Sequence, residues 1–468
     1  MCQVRETHPL RETVIHVQNT HPEKPANACR QPLPKESSAS DIHSVGGNVK
    51  SRIPTNSLSF WYLQALIMLV MFGAGSEPCL GKEIRIGMSA AFTGPSRGLG
   101  IELYRGSMAY FTHINDQGGI FGHKINVIAY DDGYNPVPTV SNTIQLVEED
   151  DVFLLFDYVG TPTVTRMLPL LKIYSSQREV LLFFPFSGAQ PQRERPYGQY
   201  VFNLRASYQQ EIDALVGYLV SIGRNRIAVF YQIDAYGRSG REAVQKSVAN
   251  QGARMVSEAT YYRGTTYDAS MKSQVRIIRQ SSPDSIISVG SSEACAAFIR
   301  DSRDAGLNVP IANVSFVDSE NMLKLLINTG ELAGRDYTAN LINSQVVPSY
   351  ETIELPAVDQ YRTLMAKHAV MPPKSLIKQD YEPHKHSPVS LEGFLNAKML
   401  VAIIEKLGPD LRPTNIKATV EAIKDFDLGI NVPVSFGPDR HQGLDAVFLT
   451  TVEQGRFVPV PRLKTLEK

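Results

Sequence analysis

From Lys82 onward the chain alternates short apolar runs with longer stretches in which apolar residues recur every three or four positions. The short runs, rich in Ile, Val, Leu and Phe, predict buried strands, and the longer stretches predict amphipathic helices. Strands are expected at Ile84 to Met88, Ile125 to Tyr130, Val152 to Phe156, Leu181 to Phe184, Arg226 to Tyr231, Ser285 to Val289 and Ile311 to Ala312. Helices are expected at Leu103 to Asp116, Val137 to Glu149, Thr163 to Tyr174, Gln209 to Ile222, Arg241 to Gln251, Tyr267 to Gln280, Cys295 to Ala305, Ser319 to Ile327, Leu391 to Leu407 and Thr414 to Lys424. Strand followed by helix, repeated, predicts an α/β fold with parallel sheets under covering helices. Two series of such units, one before and one after Asn203, are each long enough for a lobe of about 120 residues or more.

Glu83 to Asp132 is the most informative stretch. It reads as a strand, a Gly/Pro/Ser loop, an amphipathic helix, the Gly118-Gly119 turn and a second strand ending on Asp131 and Asp132. That is one βαβ unit with its ligand-facing loop attached. Asp131 and Asp132, with Tyr134 after them, end that second strand and have the look of a metal or acid pair.

Composition adds bounds. At 468 residues and 43% hydrophobic content, the chain can bury the cores of two to three domains. Lys plus Arg and Asp plus Glu are 47 each, so no large positive field favours nucleic acid. Residues 1–56 are rich in His, Pro, Ser, Asn and charge without apolar periodicity, and are expected to be a disordered or untranslated extension. Lys50 and Arg52, the apolar run Leu58 to Phe72 and the small residues Gly73 to Ser76 have the order of a secretory signal peptide over 57–76, cleaved near Ser76 and leading to the periplasm. The run falls short of the roughly 20 residues that span a bilayer. Glu77 and Pro78 stand before Cys79 where a lipid-anchor signal needs small residues, and Cys295 reads as a buried core thiol, so no disulfide framework is indicated. The chain has no P-loop, no H-E-x-x-H and no Gly-x-Gly-x-x-Gly after a strand, and Gly237-Arg238-Ser239-Gly240 lacks a residue of the nucleophile elbow. It reads as no enzyme and needs no cofactor. Met371 to Ser387, rich in Pro, Lys and His, reads as a surface loop, and the H-x-H of His384 and His386 lacks further metal ligands.

The opening stretch, followed in order by GTPTVTRMLPLL, LLFFPFSGA, YVFNLRASY, IAVFYQIDAYGRSG, AAFIRDSRDAGLNVP, NVSFV, QVVPS, VSLEGF and VSFGPDRHQG, resembles the type 1 periplasmic solute-binding proteins of ABC transporters, in the leucine/isoleucine/valine-binding (branched-chain amino acid receptor) branch. The resemblance covers about 380 of 468 residues. It implies two discontinuous Rossmann-like lobes with parallel sheets, joined by a three-crossing hinge, with ligand in the cleft. Crossings are implied near Asn203 to Ala206, Ser344 to Pro348 and Pro433 to Phe436, giving lobe one as 82–204 plus 348–433 and lobe two as 205–347 plus 434–461. Arg205 and Val347 fall at the hinge, although Arg205 can also reach a ligand carboxylate. The implied function is capture of a small carboxylated solute for an ABC permease by a monomer, with a periplasmic ligand-sensing subunit as the alternative.

Open α/β sheets bind ligands beyond the carboxyl ends of their strands, where helix N-termini present free N–H groups. In lobe one this selects Gly160 and Thr161, with Thr161 a plausible N-cap and Pro162 at N1, and Phe186, Ser187 and Gly188, whose hydroxyl and amide are implied by the resemblance to face the carboxylate. In lobe two it selects Tyr236, matching the family's aromatic wall, with Ser291, Ser315 and Phe316. The family's amino-acid binders carry an acidic residue for the ligand ammonium where this chain has Val314 or Ser315. Either Asp318, Glu293 or Asp234 replaces that anion, or the ligand is an amine-free aromatic or aliphatic acid, because a buried ammonium without an anion costs several kcal/mol.

Overall fold

A computed structural model describes residues 83–460, so the extension, the signal peptide over 57–76 and Cys79 lie outside the described residues. The first sheet contains β1 (Ile84–Ala90), β2 (Ile125–Asp131), β3 (Leu154–Phe156), β4 (Leu182–Phe183) and β5 (Val201–Phe202), all parallel, in the order β2-β1-β3-β4-β5. Its intervening helices are α1 (Arg97–Asp116), α2 (Pro136–Ile144), which runs into a π turn at Gln145–Glu149, and α3 (Thr161–Arg178). The second series comprises α4 (Tyr208–Ser221), β6 (Arg226–Gln232), α5 (Ala235–Asn250), β7 (Arg254–Tyr261), α6 (Lys272–Gln280), β8 (Ser285–Val289), α7 (Ser292–Asp304), β9 (Ile311–Asn313), α8 (Ser319–Ala333) and β10 (Leu341–Gln345). Strands β6 to β10 repeat the winding of β1 to β5, and the antiparallel β13 (Phe448–Glu453) and β14 (Arg456–Pro459) extend that sheet beyond β10. The second sheet is therefore mixed at one edge, where the sequence pointed to parallel strands alone.

Three helices late in the chain, α9 (Pro356–His368), α10 (Pro388–Leu407) and α11 (Pro413–Glu421), return to the first sheet, and their apolar faces join Ile84, Ile86, Phe111 and Phe156 in one core. The opposite face of that sheet packs Leu155 and Leu182 against Val164, Leu168 and Leu171 of α3. On the second sheet, Phe230 stacks on Phe298 at 4.0 Å between ring centroids, within a core shared with α6, α7 and α8.

Several expected elements are corrected. Helix α1 begins at Arg97, where composition reads a loop, and Gly100 lets its start lie against the Ala91 backbone, where an added Cβ would stand 2.1 Å from Ala91 O. Tyr267 to Met271 is not helical: Arg300 draws the Tyr267 and Ala269 carbonyls into hydrogen bonds at 2.7 and 2.9 Å, in place of a first helical turn. Helix α9 and strands β5, β7 and β10 to β14 were not anticipated; β11 (Phe426–Asp427) and β12 (Pro433–Val434) form a small ribbon.

The chain passes between the sheets at Asn203–Ser207, and again beyond β10, where Val347 is buried in the first-sheet core. Beside the first passage lies the third: Asn203 N donates to His441 O at 2.7 Å, and Gly443 N and Leu444 N donate to Asn203 O and Leu204 O at 2.8 and 2.9 Å. Phe436 still belongs to the first-sheet core, its ring 5.7 Å from Phe202, so the chain leaves that lobe after it. Such paired extended strands bend through small backbone rotations, which suits a hinge.

Candidate ligand-binding site

The carboxyl ends of the two sheets face each other. In lobe one, Asp131 gathers the loop after β1 by accepting from Phe92 N, Thr93 N and Gly133 N at 2.8, 3.1 and 3.0 Å, and Asp132 accepts from Ser89 Oγ and Tyr134 N at 2.8 and 2.9 Å. The pair thus holds Tyr134 over the cleft. Gly160, not Thr161, is the N-cap of α3; its φ of 110° favours glycine, and an added Cβ would stand 2.3 Å from the Tyr134 ring. Thr161 is N1 and Pro162 follows it. With no cap to make, Thr161 Oγ1 hydrogen-bonds Ser187 Oγ at 2.8 Å and donates to Tyr208 Oη at 3.3 Å. Gly188 O accepts from Tyr208 N at 2.8 Å, so the Ser187-Gly188 loop is tied to the first turn of α4.

From lobe two, Asp234 caps α5 by accepting from Tyr236 N and Gly237 N at 2.9 and 3.3 Å. This aims the fully buried Tyr236 ring at Phe316, 4.6 Å away, and Tyr208, 5.3 Å away. Phe316 also meets Tyr134 at 5.7 Å and Phe186 at 5.5 Å. Five rings from both lobes therefore form one box centred on Phe316. Tyr236 Oη is buried with no hydrogen-bond partner, and burial pushes its pKa well above the usual tyrosine range, so it is available as a neutral donor. Ser291 sits apart from the rings at the start of α7, its amide donating to Tyr261 Oη at 2.8 Å.

Behind the box lies a buried charge network. Arg205 stacks over the Phe186 ring at 4.5 Å, places Nη2 on Ser315 Oγ and 3.4 Å from Glu211 Oε1, and directs Nη1 to Glu392 Oε1 of α10, also 3.4 Å away. Glu211 accepts from Ser315 N and Oγ at 2.8 and 3.0 Å and from Ser344 Oγ at 2.7 Å. Burial pushes the Glu392 carboxyl up to about 7 against the pull of Arg205. Arg205 thus hydrogen-bonds lobe two through Nη2 and reaches lobe one through Nη1 as an ion pair alone, since neither Nη1 nor Nε has a hydrogen-bond partner.

A family model described as periplasmic binding protein matches residues 83–456. The chain belongs to this family, in its type 1 branched-chain amino acid receptor branch. The Leu/Ile/Val-binding protein of Escherichia coli K12 is 22% identical over 262 residues, which cover 53% of this chain and 69% of that one. The crystal structure of a possible leucine/isoleucine/valine-binding protein from Rhodopirellula baltica SH 1 has 27% identity and a TM-score of 0.71, covering 82% of this chain and 98% of its own. A solute-binding protein from R. palustris in complex with 4-hydroxybenzoate shares the fold, with 18% identity, a TM-score of 0.65 and coverage of 81% and 96%. The matched families are binding proteins, and among the described residues no helix is long and apolar enough to cross a membrane.

In this binding protein the three carboxylates eligible to replace the family's ammonium partner are differently engaged. Asp234 is spent on its cap, and Glu293 accepts from Tyr267 N at 3.2 Å and pairs with Arg97 at 3.7 Å. Asp318 keeps one buried oxygen without a partner, but its other oxygen accepts from Asn321 at 2.5 Å and burial pushes it up to about 7. Among the described residues no cluster of His, Cys, Asp and Glu has metal-binding geometry; His384 is tied by its amide to Glu102 at 3.1 Å.

Two voids flank the ring box. One of about 220 Å³ lies between α3 and α5, lined by Thr161, Gly188, Gln209, Ala235, Arg238 and Lys246. The other, of about 200 Å³, lies between α1 and α8, lined by Arg97, Gly98, Glu293, Asn321, Lys324 and Tyr381. The sequence pattern did not single out Tyr208, Glu211 or Glu392. Tyr208 and Glu211 stand in the first turn of a helix that begins at a hinge crossing, the one local signal that pointed to them.

Proposed function

We propose that this protein captures a small carboxylated solute between its lobes and delivers it to an ABC-type importer. The lobes are read as 82–204 with 348–436 and 205–347 with the residues after Phe436, a third crossing slightly later than the sequence implies, closing about the hinge at Arg205 and Val347. The observation that carries this is the ring box, to which both lobes contribute: a solute that touches both stabilises the closed form, whereas one touching a single lobe closes nothing. Thr161, Ser187 and the Gly188 amide, beside the N-terminus of α3, are the proposed carboxylate ligands, and no fixed cation is needed there. Gly160, Phe186, Tyr236 and Phe316 are proposed to hold the body of the solute, with Ser291 and Ser315 supporting it.

The solute is read as an amine-free aromatic or aliphatic acid. Ser315, at the place of the family's acidic residue, is committed to Glu211 and Arg205, and both oxygens of Glu211 are occupied. An ammonium in the box would meet rings and a guanidinium. Relatives are named for leucine, isoleucine and valine and a fold neighbour for 4-hydroxybenzoate, so the fold accommodates both classes. The protein is expected to act in the periplasm as a monomer after removal of its signal peptide.

The test is a thermal-shift screen of protein stripped of ligand by unfolding and refolding, against amino acids and amine-free aromatic and aliphatic acids. Stabilisation by the amine-free acids supports the reading, and a shift with amino acids alone overturns the ligand class. Silence across the panel, with copurification of a kinase in place of a permease, would favour a sensing subunit.

A further inference from the structure

We propose that Gln379–His384 is a clasp that holds the lobes together at the α1/α8 mouth without help from solute. This rests on the reading that the lobes open and close. The segment belongs to the loop between α9 and α10 that composition marks as surface, yet both its ends are fastened to lobe one. Gly94 N donates to Gln379 Oε1 at 3.2 Å, His384 N donates to Glu102 Oε1 at 3.1 Å, and Arg105 Nη1 donates to His384 O at 2.9 Å.

Between these anchors it reaches lobe two. Tyr381 Oη donates to Glu102 Oε1 at 3.1 Å and accepts from Asn321 Nδ2 of α8 at 3.4 Å, and Asn321 in turn donates to Asp318. A continuous chain of hydrogen bonds, Glu102 to Tyr381 to Asn321 to Asp318, thereby joins a buried carboxylate of one lobe to a buried carboxylate of the other. Glu382 adds an ion pair with Lys324 of α8. The lobes are in direct contact beneath: an added Cβ at Gly98 of α1 would lie 2.3 Å from both Asn321 Nδ2 and Asp318 Oδ2. A second ion pair, Arg97 with Glu293 at 3.7 Å, crosses the same mouth. None of these groups belongs to the proposed carboxylate loop or to the ring box, so the clasp acts on the closed state in the absence of solute, and Tyr381 and Glu382 are positioning residues.

Spin labels at Arg166→Cys on lobe one and Lys246→Cys on lobe two, with Cys2, Cys29 and Cys79 changed to Ser, report the interlobe distance in solute-free full-length protein. The clasp predicts a dominant short distance. Tyr381→Phe with Glu382→Gln should raise the ratio of long to short distances by about fivefold, the share carried by one part-buried hydrogen bond and one exposed ion pair. Exchanging charges, Lys324→Glu with Glu382→Lys, should restore the short distance relative to either single change, an effect that mere loss of packing does not produce. Circular dichroism melts confirm that each variant is folded. An unchanged distribution across all variants would overturn the clasp, whatever the solute screen returns; a working clasp with a silent screen would leave the clasp standing and the transport reading in trouble.

Discussion

The two mouths of the cleft are built differently. At the α1/α8 mouth, side chains from both lobes meet in ion pairs and a four-membered hydrogen-bond chain. At the α3/α5 mouth, among the described residues, no ion pair crosses between the lobes through Arg238 or Lys246; instead these cations line a void together with Thr161 and Gly188 of the proposed carboxylate loop. Shielding by water makes exposed cations poor glue but good guides for an approaching anion. The contrast teaches a division of labour in which one rim holds and the other admits.

The largest expected effect tests what both rims depend on. Arg205→Met leaves Glu211 and Glu392 facing each other without their shared cation, and should cost about 3–5 kcal/mol in urea unfolding, the usual consequence of orphaning a buried charge. A loss below about 1 kcal/mol would mean the network is not the pivot of the two-rim arrangement.

Next, the holding rim should be sensitive to pH. Burial, with Glu102 nearby, raises Asp318 from its ordinary value to about 7 in the folded closed form. The folded state therefore keeps a proton that the unfolded state releases, and this contribution is full below about pH 4 and fades as pH rises through 7. Asp318→Asn carries no such dependence, so its stability relative to the parent should be near zero at pH 4 and grow toward pH 8, by up to about 4 kcal/mol. A pH-independent difference would show that Asp318 is not buried in solution.

At the box, Tyr236→Phe removes a hydroxyl with no protein partner. The solute-free protein should melt unchanged, while calorimetric affinity for the acid that gives the largest thermal shift should fall by roughly fivefold, about one hydrogen bond. Equal affinity would assign Tyr236 to packing alone. The smallest effect belongs to the admitting rim: Arg238→Glu should slow association of an anionic solute by a few-fold at low salt and leave dissociation unchanged. If dissociation changes instead, the α3/α5 rim also holds.

The sequence made the skeleton readable where local pattern and burial agree. Ser285 to Val289 is an uninterrupted buried run and forms a strand as expected, inside the second sheet between β6 and β9. Strand β10 hid because Asn343, Ser344 and Gln345 are polar; in the folded chain each is buried with a hydrogen bond to a residue distant in the chain, Asn313, Glu211 and Ser319 respectively. Helix α9 was lost between a Pro-rich start and the loop after it. In the ring box, Tyr236 and Phe316 were legible as cleft-facing candidates from their place after a strand. Glu211 was not, since its partners Ser315 and Ser344 lie 104 and 133 positions away and an isolated glutamate announces nothing.

That glutamate also constrains how this binding site can change over generations. A single Ser315→Glu replacement, the direct route to an anion at the ammonium place, would set a second carboxylate against Glu211 with one guanidinium to share, and would strip Glu211 of its Ser315 hydroxyl partner. If the solute is amine-free, as proposed, recognition of amines is separated from the present site by at least two coordinated substitutions, with an unstable intermediate between them, and drift in ligand preference should run more easily through the rings, where exchanges of shape carry no such toll.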